Sequence, residues 1–382
     1  MAVPTVLLLH SSAGRYGADR QLALLAAGLD PARFRALVVL PEVEGPLGED
    51  LRSRGVEVLR RPLSVIRRDA LSPGGLARLG TRLGADASGL ARLIRERDVA
   101  LVHSNTSVVL GGAGAAALAR VPHVWHVREI YSGWGRLWPA HRRLLGRAAA
   151  LPCVSLAASL QFGHGEPVSV IHDGLAVSPA RSQRSGARAR LGLAQDRPVV
   201  AVIGRISDWK GQDLLVRALA TPALRERGVV GLIAGDVWPG MEARREAILT
   251  LARQLGVSDR LVLPGFVNPV ADVFGAADVI AVPSTAPDPL PGAAIEAAAA
   301  GAAVVAAAHG GLPEIISDRR SGLLVPPGDV DALATACAEL IDTPRLRATL
   351  GATASQDVRR RFAPEPMLAA VQSLYDRVLT GP

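Results

Sequence analysis

Val199-Val200-Ala201-Val202-Ile203 runs directly into Gly204-Arg205-Ile206-Ser207-Asp208-Trp209-Lys210-Gly211. The first five residues read as a strand, the next seven as a glycine-containing turn, and 211–220 as a helix opening on Gly211. The same order recurs outward from this stretch. Downstream, strands are expected over 229–234, 260–263, 279–282, 303–307 and 323–325, with helices over 241–255, 293–300, 331–340 and 343–361. Upstream, strands are expected over 6–9, 36–40, 56–59, 99–103, 123–127, 151–155 and 169–172, with helices over 21–29, 90–97 and 110–119. Strands separated by helices imply crossover connections, so the fold class is α/β with parallel, doubly wound sheets.

At 382 residues the chain is long for one core and suits two α/β domains of roughly 150–200 residues each. Hydrophobic residues make up 49% and charged residues 20%, which supplies two cores and argues against disorder. Over 177–198 the composition shifts to Ser, Pro, Gly, Arg and Gln, and the join between domains is expected there. The first domain is drawn as 1–180, completed by a last helix over 364–382, and the second as 181–363. The apolar run 3–10 is only a strand long, with no basic residue ahead of it, and does not read as a signal peptide. The Ala-rich run 293–308 contains Glu296 and is split by Gly301, so it reads as helix then strand and not as a membrane span. Cys153 and Cys337 lie in apolar contexts without metal-ligand spacing, as in a cytoplasmic protein with reduced thiols.

Charge is unevenly spread. Residues 1–190 hold 25 arginines against 14 acids, a net +11, whereas the remainder holds 17 arginines and one lysine against 21 acids, a net −3. Such asymmetry suits an anionic partner of the N-terminal half: a phosphate-bearing acceptor or the inner face of a membrane. An arginine-rich composition throughout would also produce it. There is no zinc spacing and no aromatic-interleaved basic stripe, so nucleic acid is not expected as a partner. The stretch holding Trp134, Arg136, Leu137, Trp138, Arg142, Arg143, Leu144 and Arg147 has two readings: a basic amphipathic face for a membrane, or a helix docking its tryptophans into the core.

Lys210 is the only lysine beside 42 arginines. It sits where a strand hands over to a helix, a place whose free amides and dipole attract anions. Arg205 can fork onto phosphate oxygens while Lys210 supplies a compact charge, which is what a departing diphosphate requires. A second constellation is Asp288-Pro289-Leu290-Pro291-Gly292 leading to Glu296. Its two acids suit sugar hydroxyls, with Glu296 reaching a ribose diol, and Gly292 lets backbone approach a ligand. Asp288 as a turn residue and Glu296 as a solvated helix position is the plainer alternative. Asp329-Val330-Asp331 has the form of an Mg²⁺ motif but precedes an apolar helix, so an N-cap is expected.

Taken in order, these stretches resemble the retaining glycosyltransferases of family 4, which have the GT-B fold of two Rossmann-like domains facing across a cleft. The resemblance rests on Gly204-Arg205 with Lys210-Gly211, Ala234-Gly235-Asp236, Pro264-Gly265-Phe266, Ala277-Asp278-Val279, Pro283-Ser284, Asp288 with Glu296, Gly310-Gly311-Leu312-Pro313-Glu314 and Ser321-Gly322-Leu323. It covers about residues 199–340; the first acid is usually glutamate in the family and is Asp288 here. It implies Gly204, Arg205 and Lys210 around the diphosphate, the backbone of Gly265, Phe266 and Val267 near the base, and the backbone amides around the Leu290, Pro291 and Gly292 stretch facing the donor. The glycine loop Ser12 to Arg20 looks like the family's first loop, which implies Gly17 near donor phosphate and acceptor. His126 matches a histidine that lies beside the donor sugar. A structural histidine and an ordinary strand–helix turn are the readings of these two from the residues alone.

The resemblance implies transfer of a sugar from a UDP- or GDP-sugar to an acceptor hydroxyl with retention, and no metal or other cofactor. The 181–363 domain would hold the donor and the 1–180 domain a glycan, lipid-linked or small-molecule acceptor of cell-envelope or polysaccharide synthesis. An epimerase or phosphorylase of the same fold, and a non-catalytic sugar-nucleotide binding protein, are the alternatives.

Overall fold

The computed structural model describes residues 2–41, 44–66, 73–132, 134–163, 165, 167–176 and 179–381, with the side chains of 73, 74 and 76–78 outside the description. The chain forms two compact units, Met1–Ala176 with Pro364–Pro382, and Val177–Ala363. Two residues of the expected join, Val177 and Ser178, lie outside the described residues.

In the first unit, β1 (Thr5–Leu9), β2 (Arg35–Leu40), β3 (Glu57–Arg60), β4 (Val99–Ser104) and β5 (His123–Trp125) form a sheet in the order β3-β2-β1-β4-β5. Every pairing is parallel. Parallel bridges Val124–Ala150 and Val127–Cys153 carry the pairing on to β6 (Leu151–Cys153), which pairs with β7 (Val168–Val170). Side chains alternate across the sheet as the pleat requires. Val6, Leu8, Val38 and Leu40 join one core with the helices Gly17–Gly28 and Pro46–Ser53. Leu7, Leu9, Leu37 and Val39 join the other, with the helices Pro73–Glu96 and Gly111–Ala119. The last helix, Pro364–Thr380, belongs to the first core through Met367, Val371, Leu374 and Tyr375.

The second unit repeats the plan. β8 (Val199–Ile203), β9 (Val230–Ala234), β10 (Leu261–Gly265), β11 (Val279–Val282), β12 (Ala303–Ala307) and β13 (Leu323–Val325) pair in parallel in the order β10-β9-β8-β11-β12-β13. β8 and β11 are neighbours although β9 and β10 intervene in sequence. Strand order therefore reverses between them, and ligands on such sheets bind at the carboxyl ends flanking that reversal. The same holds for β1 and β4 in the first unit. The 293–308 segment is a helix, Gly292–Ala299, followed by β12. Among the described residues no helix is long and apolar enough to cross a membrane.

One helix is far longer than sequence periodicity suggests: Pro73–Glu96 instead of 90–97. Gly80, Gly84 and Gly89 dilute its propensity. It is held instead by packing on the small-residue helix Gly111–Ala119, where a Cβ on Gly114 would stand 2.9 Å from that of Ala87.

Candidate functional site

In the second unit the carboxyl ends of the strands are stitched to one another by backbone bonds. Gly235 N–H donates to Gly265 O (2.8 Å), Gly204 N–H to Ala234 O (2.9 Å) and Ile206 N–H to Asp236 O (3.0 Å). Thr285 N–H donates to Trp209 O and Gly311 N–H to Asp288 O, each at 2.8 Å. The segments 204–211, 235–238, 265–267, 283–292 and 309–311 thus share one rim of the sheet. Gly211 is indispensable to it: φ is 74°, and a Cβ there would stand 2.0 Å from Pro283 O.

Lys210 and Asp288 meet on this rim, Nζ to Oδ2 at 2.6 Å. The aspartate side chain is 7% exposed and the lysine 23%, so the ion pair is largely withdrawn from water. The two residues are 78 positions apart and come together because β8 and β11 are neighbours. Lys210 also sits over the ring of Trp209 (4.3 Å to the centroid), and the Arg205 guanidinium lies over Trp238 at 3.6 Å. An aromatic face thus orients each cation, in addition to the carboxylate that pairs with Lys210. Trp238 is 46% exposed and Phe266, just past β10, is 57% exposed. Gly292 opens the helix Gly292–Ala299, whose N-cap Pro291 supplies no side-chain bond. Glu296, one turn on, brings Oε1 to 3.9 Å from where a Gly292 Cβ would be. Leu290 is buried, and Val267 and Gly204 are half-buried. Asp329 accepts from Ala332 N–H at 2.9 Å and caps the helix Val330–Asp342.

In the first unit the rim at β1 and β4 carries a polar network. Asp19 accepts from His10 Nε2 (2.9 Å), from Ser12 Oγ and from Tyr16 N–H (2.8 Å). Burial pushes the Asp19 carboxyl up, but these donors outweigh it and hold the group below the usual carboxylate range. Asn105 Nδ2 lies 3.1 Å from His10 Nδ1, so both ring nitrogens of His10 are engaged, one by Asn105 and the other by Asp19. Arg128 Nε donates to Asn105 O (2.8 Å) and its guanidinium pairs with Asp173. Gly17 lies at the first turn of its helix, exposed, with open space on its Cβ side.

His126 follows β5, its N–H bonded to Ser104 O (2.9 Å). The residue is 1% exposed, and among the described residues neither ring nitrogen has a hydrogen-bond partner. Burial holds its pKa well below the ordinary histidine value, with Arg128 and His103 adding repulsion. It is a neutral imidazole with two unpaired nitrogens at the carboxyl end of the sheet. Trp134 and Trp138 turn inward onto Tyr131, at 4.6 Å edge-on and 4.8 Å stacked, while Arg136, Leu137, Arg143 and Arg147 face solvent.

Sequence reading passed over Trp238, His10 and the Arg128–Asp173 pair. Trp238 carried a signal nonetheless: a tryptophan four residues past β9 in a chain with 3% aromatics.

Two parallel sheets, each ordered about its own reversal, with cations and carboxylates gathered on the strand ends of the second, define a two-unit α/β protein of the doubly wound, Rossmann-like class. The sequence profile for Glycosyltransferase Family 4 matches residues 16–178, and that for Glycosyl transferases group 1 matches residues 183–357. The chain belongs to glycosyltransferase family 4, and its fold is GT-B. It is 38% identical over 219 residues to the D-inositol 3-phosphate glycosyltransferase of Streptomyces scabiei, covering 55% of this chain and 48% of that protein. It is 41% identical over 195 residues to that of Kribbella flavida, covering 49% and 46%. The chain thus spans about half the length of the curated relatives it matches. HepE of Anabaena, solved with UDP-glucose, superposes with a TM-score of 0.82 at 26% identity over 97% of this chain and 99% of its own.

Proposed function

We propose that the chain transfers a sugar from a nucleotide diphosphate donor, a UDP-sugar first among them, to an acceptor hydroxyl with retention at the anomeric carbon. The observation that carries this is the Lys210–Asp288 pair at the β8–β11 reversal, with Arg205 fixed on the same rim. A diphosphate entering there meets an ammonium and a guanidinium, and Asp288, already bonded to Lys210, lies in reach of the sugar. Glu296 takes the ribose diol, and the backbone at Leu290, Pro291 and Gly292 faces the donor, with N–H groups supplied by Leu290 and Gly292. The 265–267 backbone, with exposed Phe266 beside it, receives the base. The cations stabilise the charge that grows on the departing diphosphate, which in turn takes the acceptor proton; no metal is assigned a role. UDP-glucose in HepE supports the donor class.

Gly17, the Asp19 network and His126 are assigned to the acceptor side and the donor sugar; His126 needs local opening to make that contact, since its ring is buried. The relatives' names favour a phosphorylated cyclitol acceptor, and the net +11 of residues 1–190 suits any phosphate-bearing one. The protein is placed in the cytoplasm, with Arg136, Leu137 and Arg143 free to touch an anionic inner membrane face. The test is release of UDP from a panel of UDP- and GDP-sugars with inositol phosphate and with lipid-linked glycan acceptors, following anomeric configuration in the product. Donor consumption without transfer, or phosphate-dependent turnover, would replace this reading with that of an epimerase or phosphorylase.

A further inference from the structure

At the opposite edge of the second sheet, beside the amino ends of β11 and β12, lies a cavity of about 200 Å³. Its wall carries Arg181, Arg184 and Arg347 against a single carboxylate, Asp278. That carboxylate is already committed: Arg188, wholly buried, donates to Oδ2 at 3.0 Å, and Val199 N–H donates to the same atom at 2.9 Å. Arg184 forks onto Asp278 at 2.9 and 3.2 Å, and Arg347 stands 3.7 Å from it. Arg181 donates to the backbone carbonyls of Phe274, Ala277 and Gly301 and feels the attraction of Asp278 without a hydrogen bond to it among the described residues. Arg347 donates further to the carbonyls of Leu340 and Ile341. Arg184, Arg188 and Arg347 therefore converge on the one carboxylate of the cavity wall, and Arg181, Arg184 and Arg347 open on the same small cavity. Burial lowers the Arg181 pKa; attraction by Asp278 opposes this, and repulsion from Arg184 and Arg347 works with it. Each guanidinium keeps N–H donors beyond those used here, in the planar geometry that matches phosphate oxygens.

We propose that this cavity is a second anion site, for orthophosphate or a small phosphomonoester, separate from the rim that holds Lys210. The Gly301 and Ala303 walls leave it free of bulky side chains. The site is independent of the donor reading, because it shares no residue with it.

The test is thermal unfolding of the full chain with orthophosphate, and separately with glycerol 1-phosphate, against chloride at matched ionic strength. A saturable rise in Tm is expected in the parent protein, retained in Lys210→Ala and lost in Arg184→Gln and in Arg347→Gln. Arg184 is 45% exposed, so its variant folds even if loss of the Arg347 carbonyl contacts proves damaging. A response to glycerol 1-phosphate but not to orthophosphate assigns the site to phosphomonoesters; a response to orthophosphate alone assigns it to the free ion. A rise abolished by Lys210→Ala and kept in Arg184→Gln, or one matched by chloride, overturns the proposal.

Discussion

Lys210 and Asp288 constrain each other, and that shapes what any substitution reports. Removing the lysine leaves a carboxylate 7% exposed without its cation, which costs about 3–5 kcal/mol in comparable buried pairs. Lys210→Ala is therefore expected both to lower Tm and to reduce transfer by at least about 10²–10³-fold. The double variant Lys210→Ala/Asp288→Asn should recover most of the Tm and none of the turnover. Recovery of turnover in the double variant would remove Lys210 from the mechanism. A second residue-scale prediction concerns histidine. Burial lowers His103 and His123 to about 3 and His141 to about 4, with His126 well below the ordinary value of 6.5. The unfolded chain takes up these protons below about pH 6.5 while the folded imidazoles stay neutral. Stability is then complete above that pH and falls as pH drops toward 4, by about 1.4 kcal/mol per pH unit for each such histidine. Melting curves at pH 7.5 and 5.5 should differ sharply; identical midpoints would show that these side chains titrate normally.

At the scale of elements, function depends on how helices begin. The helix Gln212–Ala220 starts at Gly211, whose left-handed backbone lets it close on the Pro283 carbonyl. Gly211→Ala demands both a strained φ and a backbone shift, so it should destabilise by more than about 2 kcal/mol and abolish donor binding. Gly192→Ala is the control: φ is 67° but nothing lies within 4 Å of the new Cβ, so only the conformational cost of about 1–2 kcal/mol remains. Equal Tm losses in the two variants would mean that the packing against Pro283 is unimportant. At Asp329, loss of the cap bond in Asp329→Ala should cost about 1 kcal/mol with turnover unchanged.

For the whole molecule, the chain's last helix is part of its first core. Val371 is wholly buried there, and Tyr375 donates or accepts at 2.5 Å with His103 Nδ1, 272 residues away. Val371→Asp buries a charge without a partner. Hydrogen exchange should then rise across peptides of 5–176 while those of 199–340 keep their protection. Uniform loss of protection would mean that the two units do not unfold separately.

The amino-acid pattern alone carried the parallel α/β class and the family, because alternating strand and helix runs and the ordered glycine and acid motifs are local properties of the chain. It also marked Arg205, Lys210, Asp288 and Glu296 as chemically apt residues. What it did not contain was who meets whom. That Lys210 closes on Asp288, that Trp238 lies under Arg205, that the His126 ring is sealed from solvent, and that Arg188 claims Asp278 all depend on strand order. β8 lies against β11 only because the sheet reverses direction there, and no local periodicity encodes that adjacency. Contacts between residues about eighty positions apart are settled by burial of both sheet faces at once, an energy that exists only once the chain is folded.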